Sequence, residues 1–270
     1  MDWRDSLRER NLPEVEPSFR HNLSFVGVST IAKQFYCEAK VEQEYTRGQV
    51  PSEAKDVGTD IHEEILAMKH VGRKELIKHI LKEPSLITSF PLYGEIGELR
   101  VIGMPDAVIF TKSKPEWLIE LKTTRGDHTR LWNDQLLQVK IYGLLLEKMG
   151  FNCSKLKLVL VRMRQDGALE DEQRTKMLAM IRLALIKDQT AKLEETRPMK
   201  FFIHPHDRRE VERSVLWAQD YWLQRREPIP TTNEYKCRTC EFKDVCPSSL
   251  WKGPETSSIA NRGRSPTQGR

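Results

Sequence analysis

The hydrophobic and polar positions of the chain alternate between two periods. In "FVGVSTIAKQFYCEAKVEQEYTRG" the Ser29-Thr30 pair supplies a cap, and Ile31, Phe35 and Val41 supply apolar anchors. That pattern predicts a helix starting near Ser29. "GTDIHEEILAMKHVGRKELIKHIL" places Ile61, Ile65 and Met68 four and then three residues apart, the spacing of one helix face, and Pro84 ends it. Three extended stretches follow, "ITSFPLYG", "LRVIGMPDAVIF" and "EWLIELKTT". The polar turn "TKSKP" between the last two allows an antiparallel pair. "RLWNDQLLQVKIYGLLLEKMG" is a helix stopped by Gly150, and "KLKLVLVRMR" is a fourth strand. "LEDEQRTKMLAMIRLALIKDQTAKLEE" is one long helix ending before Pro198, and "REVERSVLWAQDYWLQRRE" is another. The order predicts an α/β (α+β) fold, a mixed sheet with flanking helices around one dominant core.

The same pattern divides the chain. Residues 1–20 form an irregular lead-in, 21–251 a single domain, and 252–270 a polar tail expected to be disordered. No apolar run approaches the roughly 20 residues of a membrane span. The first twenty residues have no signal-peptide core and are too acidic for a transit peptide, so a cytoplasmic protein is expected. The net charge is +5, and three of those charges belong to the tail. The remainder does not by itself announce a nucleic-acid binder.

Candidate chemistry begins where charge interrupts the strands. Asp106 falls near the middle of the second predicted strand, and Glu120 and Lys122 fall in the third. Two residues apart on a strand, Glu120 and Lys122 share one face, while Trp117, Ile119 and Leu121 take the other. Two carboxylates suit Mg²⁺ or Mn²⁺, hard cations that prefer oxygen, and a lysine beside them can steady a water or a phosphate. Taken alone, the same trio also reads as a salt bridge between Lys122 and one carboxylate.

Five cysteines are present, Cys37, Cys153, Cys237, Cys240 and Cys246. An odd number in a long chain argues for metal binding over a disulfide framework. Cys237, Cys240 and Cys246-Pro247 have the spacing of metal thiolates. A zinc ribbon would offer two Cys-x-x-Cys pairs, whereas an iron–sulfur cluster needs four thiolates, so the fourth is Cys37 or Cys153.

"GMPD" followed by "LIELK" resembles the PD-(D/E)XK nuclease superfamily, and within it the RecB-like exonucleases, the exonuclease V and CRISPR-associated members above all. "GTDIHEEI" resembles that branch's Gly-x-x-x-His motif, and Gln138-x-x-x-Tyr142 its Gln-x-x-x-Tyr motif. The upstream Cys37 with the distal trio resembles its iron–sulfur arrangement.

The resemblance implies a restriction-endonuclease-like core with iron–sulfur-stapled helical N- and C-terminal regions. Its metal site would comprise His62, Asp106, Glu120 and the Leu121 carbonyl, with Lys122 acting on water. Gln138 and Tyr142 would contact DNA, and a 4Fe-4S cluster would sit on Cys37, Cys237, Cys240 and Cys246, with Cys153 a small buried residue. The implied activity is Mg²⁺- or Mn²⁺-dependent exonucleolytic hydrolysis of single-stranded DNA in repair or recombination. End trimming in CRISPR spacer acquisition with integrase partners, and a catalytically silent DNA-binding module, are the alternatives. No helicase motor or Gly-rich phosphate loop is present, which implies a stand-alone nuclease.

Overall fold

A computed structural model describes residues 16–48, 73–82, 85–88, 90–164 and 171–253. His62, and with it most of the helix predicted around "GTDIHEEI", lies outside the described residues. The strands are β1 (Val26–Gly27), β2 (Ser85–Thr88), β3 (Leu92–Ile96), β4 (Leu99–Gly103), β5 (Ala107–Thr111), β6 (Lys114–Thr124), β7 (Lys157–Arg164) and β8 (Met199–Pro205). The helices are α1 (Val28–Gln34), α2 (Glu38–Arg47), α3 (Arg73–Leu81), α4 (Asn133–Lys148), α5 (Asp171–Ile186), α6 (Thr190–Thr196), α7 (Arg208–Trp222) and α8 (Glu234–Arg238).

The larger sheet has the order β2-β5-β6-β7-β8 and is mixed: β6 and β7 are parallel, and the other neighbours antiparallel. Its parallel step is the one that needs a long crossover, and α4 supplies it. Alternation along β6 feeds two cores. Leu118 joins β7 residues Leu158 and Leu160 in a layer with Val139, Leu144 and Leu145 of α4 and Val211 and Val215 of α7. Ile119 and Leu121 join Val159 and Val161 against Leu178, Ile181 and Leu185 of α5. Side chains of period two thus commit each face of one sheet to a helical layer. The smaller sheet, β1-β4-β3, flanks the first core, where β3 packs against α4.

The mixed sheet with flanking helices agrees with the expected fold class, but several boundaries differ. "LRVIGMPDAVIF" is two strands in two sheets, β4 and β5, broken at Met104–Asp106; Pro105 has no N–H for a ladder and terminates pairing there. "ITSFPLYG" is likewise divided between β2 and β3. The first predicted helix is interrupted at Cys37, whose extended φ and ψ make it the N-cap of α2, and α1 starts from Gly27 without a side-chain cap. The long helix breaks at Asp188, which has a left-handed φ of 53°, leaving α5 and α6. "MKFFIHP" forms the edge strand β8; its lysine and histidine hid a period-two pattern that sends Phe201 to one core and Phe202 to the other. Gly150 follows the end of α4 with φ +90°, as its predicted role requires.

The early helices meet the segment after α7. Glu38, almost fully buried, accepts from Arg226, from Gln34 across 2.7 Å and from the Ile229 N–H across 2.7 Å. Lys40 donates to Glu241 across 2.9 Å. Among the later aromatics, Tyr221 and Trp222 are core residues, whereas Trp217 is exposed and packs on Phe35.

Candidate active site

Asp106 does not lie mid-strand, as the sequence suggested, but in the break immediately before β5. The β5–β6 register pairs Ala107 with Ile119, which sets Asp106 opposite Glu120. The Asp106 carboxylate is fastened there by the Leu121 N–H, which donates to Oδ2 across 2.5 Å. Its other oxygen pairs with the guanidinium of Arg174 on α5. Leu121 faces the second core, as the alternation predicted.

Glu120 is 5% exposed. Lys122 Nζ lies 2.8 Å from its Oε1, and Gln138 Nε2 donates to the same oxygen across 2.9 Å. The Gln138 amide also reaches the Tyr142 hydroxyl, at 3.1 Å. The salt bridge that competed with the catalytic reading is therefore present. It is held inside a buried network, and it leaves Glu120 Oε2 buried without a hydrogen-bond partner among the described residues. Buried carboxylate oxygens are rarely left unpaired, because the lost hydration has no compensation. Two more orphaned atoms sit close by in the fold. Gln135 Oε1 is one turn before Gln138 on α4, and Arg162 Nε is on the β7 residue paired with Lys122.

Gln138 and Tyr142 are both buried, so the geometry turns them toward Glu120. Close packing puts them there. A Cβ on Gly103 would come within 2.5 Å of the Tyr142 ring and 2.6 Å of Val28, so the glycine of "GMPD" is what lets β4 pass under the helix.

Arg174 and Arg162 were not singled out from the sequence. Arg174 is one basic residue on a helix face and carried no signal. Arg162 did carry one, a charge inside the otherwise apolar run "LVLV" to "M" of β7. Burial pulls both guanidinium pKa values below their ordinary value; for Arg162 the nearby Asp127 and Asp134 oppose that shift.

Asp106 and Glu120 are the oxygen donors a hard divalent cation would use; they lie at neighbouring positions of the β5–β6 register, and one Glu120 oxygen is buried without a partner among the described residues. Among the described residues, no group of three or more His, Cys, Asp or Glu is gathered closely enough to hold a metal.

Cys37, Cys237, Cys240 and Cys246 line one cavity, with Tyr36, Lys40, Lys236, Lys243 and Phe242 around them. The Thr231 N–H donates to Cys37 Sγ and the Phe242 N–H to Cys240 Sγ, each across 3.4 Å. Burial raises the Cys240 thiol, partly offset by that N–H and by Lys40. The four thiols line one cavity with three lysines, but they are not gathered closely enough to form a metal-holding group. Cys153 is apart from them, buried in the first core, with its thiol pushed up to about 12 by burial. Among the described residues no helix is long and apolar enough to cross a membrane.

Two solved structures are similar to this chain. The protein SSO0001 is 17% identical with a TM-score of 0.45, the match covering 92% of this chain and 95% of that one. A candidate exonuclease from Eubacterium rectale is 13% identical with a TM-score of 0.43, covering 85% and 90%. The family model for the PD-(D/E)XK nuclease superfamily matches residues 28–247, a span that contains Asp106, Glu120 and Lys122 and nearly all of the described fold. The chain belongs to the PD-(D/E)XK nuclease superfamily.

Proposed function

We propose that the protein is a metal-dependent deoxyribonuclease of the RecB-like iron–sulfur branch, which hydrolyses single-stranded DNA from an end. Superfamily membership supports a phosphodiester hydrolase. The observation that carries the reading further is the Glu120 network: a buried carboxylate aligned by Gln138 and Lys122, opposite Asp106, with one oxygen left without a partner.

In hydrolysis the water oxygen bonds to phosphorus, the P–O ester bond breaks, and the water's proton leaves to the departing oxygen or to solvent. Asp106 and Glu120, with His62 and the Leu121 carbonyl, would hold a Mg²⁺ or Mn²⁺, which when bound would supply positive charge at the phosphate and lower the pKa of a nearby water. Lys122 orients the attacking water from its place beside Glu120. Gln138 fixes the Glu120 carboxylate, and Tyr142 fixes Gln138, so both act on the DNA strand through the carboxylate they hold. Cys37, Cys237, Cys240 and Cys246 would hold a 4Fe-4S cluster, which would staple the N-terminal helices to the C-terminal segment. Hydrolysis moves no electrons, and the cluster's role is structural.

The test is digestion of DNA labelled at either end, single- and double-stranded, with Mg²⁺ or Mn²⁺. The expected result is progressive shortening of the single strand by the wild type and at least about a hundredfold slower cleavage by Lys122→Ala. Equal digestion by the variant removes the proposed site.

A further inference from the structure

The C-terminal end of the sheet beside Lys122 carries a row of cations. The β6–β7 register pairs Lys122 with Arg162, and the β7–β8 register pairs Arg162 with Lys200. Directly paired residues on neighbouring strands, about 5 Å apart, share a face. Like charges so placed destabilise a sheet unless something negative lies over them. Lys122 has Glu120, and Lys200 has Glu194 at 2.6 Å. Arg162, 3% exposed, has no carboxylate in hydrogen-bond reach among the described residues. One of its Nη atoms donates to the Arg130 carbonyl, its Nε is unpartnered, and Asp127 and Asp134 act on it only through space.

Above this row runs the loop that leaves β6 and enters α4. Arg130 is exposed, with its guanidinium 4.6 Å from the centre of the Trp132 ring; it makes no ion pair among the described residues. Arg162 lies 6.0 Å from the same ring. Trp132 therefore serves as a platform for two guanidiniums, and stacking limits their freedom without using their N–H donors. A stacked, exposed arginine backed by a buried one with a spare donor is suited to a phosphate.

We propose that Arg130, Trp132 and Arg162 form a second phosphate-binding subsite next to Lys122, which grips the nucleic-acid backbone beside the scissile phosphate. Arg130 touches the phosphate, Trp132 holds Arg130 in place, and Arg162 pins the loop through the Arg130 carbonyl. The proposal rests on the nuclease reading above and extends it to residues outside the motifs.

The test uses the full chain carrying Lys122→Ala, so that a labelled oligothymidylate survives, and reads fluorescence anisotropy across a salt series. Adding Arg130→Gln should weaken binding several-fold at low salt. It should also reduce the slope of log K against log salt by about 0.7, the loss of one contact to a single strand. Trp132→Ala should weaken binding likewise, and Trp132→Phe should restore it, since a phenyl ring keeps a platform. Arg213→Gln, exposed on α7, should leave the slope unchanged. Arg130→Gln and Trp132→Ala chains that match the parent in affinity and slope overturn the subsite. Wild-type cleavage by the Lys122→Ala chain overturns the catalytic reading instead, and absence of any binding by the parent overturns both.

Discussion

Arg174 of α5 closes over Asp106 of the β5 entry, and the two form an ion pair. A guanidinium and a divalent cation would compete for that carboxylate. Without metal, Arg174 pairs with an Asp106 carboxylate that is only 8% exposed, so removing it should destabilise the metal-free protein. The Arg174 side chain is nearly half exposed, which limits the pair to about 1 kcal/mol. Arg174→Gln should therefore lower the Tm of metal-free protein by about 2–4 °C. The same variant should gain more Tm than the wild type on addition of Mn²⁺, because nothing competes for Asp106. A smaller gain than the wild type's in a thermal melt would show that Arg174 supports metal binding and does not oppose it.

In the proposed mechanism Gln138 acts at one remove from the reaction. Its amide donates to Glu120 Oε1, while Oε2 has no partner among the described residues. Groups that orient a metal-binding side chain typically contribute about 10–100-fold in affinity or activity. Gln138→Ala should lower cleavage by about that factor, with part of the loss recovered at high Mn²⁺. Gln138→Glu should be worse, since a second carboxylate beside Glu120 brings like-charge repulsion. Titrating Mn²⁺ against rate for the three proteins separates an effect on metal affinity from one on kcat.

The parts of this site that were legible in the sequence are those that follow from period two. Glu120 and Lys122 share a face, and Leu121 goes to the opposite core, because side chains on a strand alternate. What escaped was set by contacts distant in sequence. The β4–β5 break was hidden because Val101, Ile102, Val108 and Ile109 form one apolar run on either side of Pro105, and assignment of its halves to different sheets depends on partners elsewhere. Tyr142 read as a DNA contact; it is buried, with its hydroxyl hydrogen-bonded to the Gln138 amide, a state that periodicity does not distinguish from a surface contact. Arg174 reaches Asp106 only because α5 packs on the far side of β6, and nothing in the helix's own sequence encodes that meeting.

Removal of the proposed cluster should act on stability before chemistry. The segments it would join already touch through Glu38–Arg226 and Lys40–Glu241, so the fold should loosen at that seam and not unfold outright. Anaerobically purified protein is expected to be brown, with a broad visible absorption band. Cys37→Ala and Cys240→Ala should abolish the colour and lower Tm, while Cys153→Ala should keep the colour. Colourless wild-type protein with stoichiometric zinc would replace the iron–sulfur assignment by a zinc one.

The N-terminal segment carries a pH-sensitive contact. His21 stacks on Tyr45 with ring centres 4.5 Å apart, lies 2.9 Å from the Tyr221 hydroxyl, and neighbours Glu42, Arg20 and the edge of Trp222. Burial pulls its pKa below the ordinary 6.5, Glu42 opposes this, and Arg20 adds to it. The folded protein thus binds this proton less readily than the unfolded chain. The stability that follows is present above about pH 6.5 and is lost as pH falls from there toward the folded pKa. Burial lowers His204 as well, so it contributes in the same direction. Urea unfolding at about pH 7.5 and about pH 5.5 should show the wild type losing stability at the lower pH. His21→Phe keeps a ring against Tyr45 but cannot take up the proton, and its loss over the same interval should be smaller, with a remainder from His204 and the carboxylates. An identical pH dependence in the two proteins would mean that His21 titrates alike in the folded and unfolded chains.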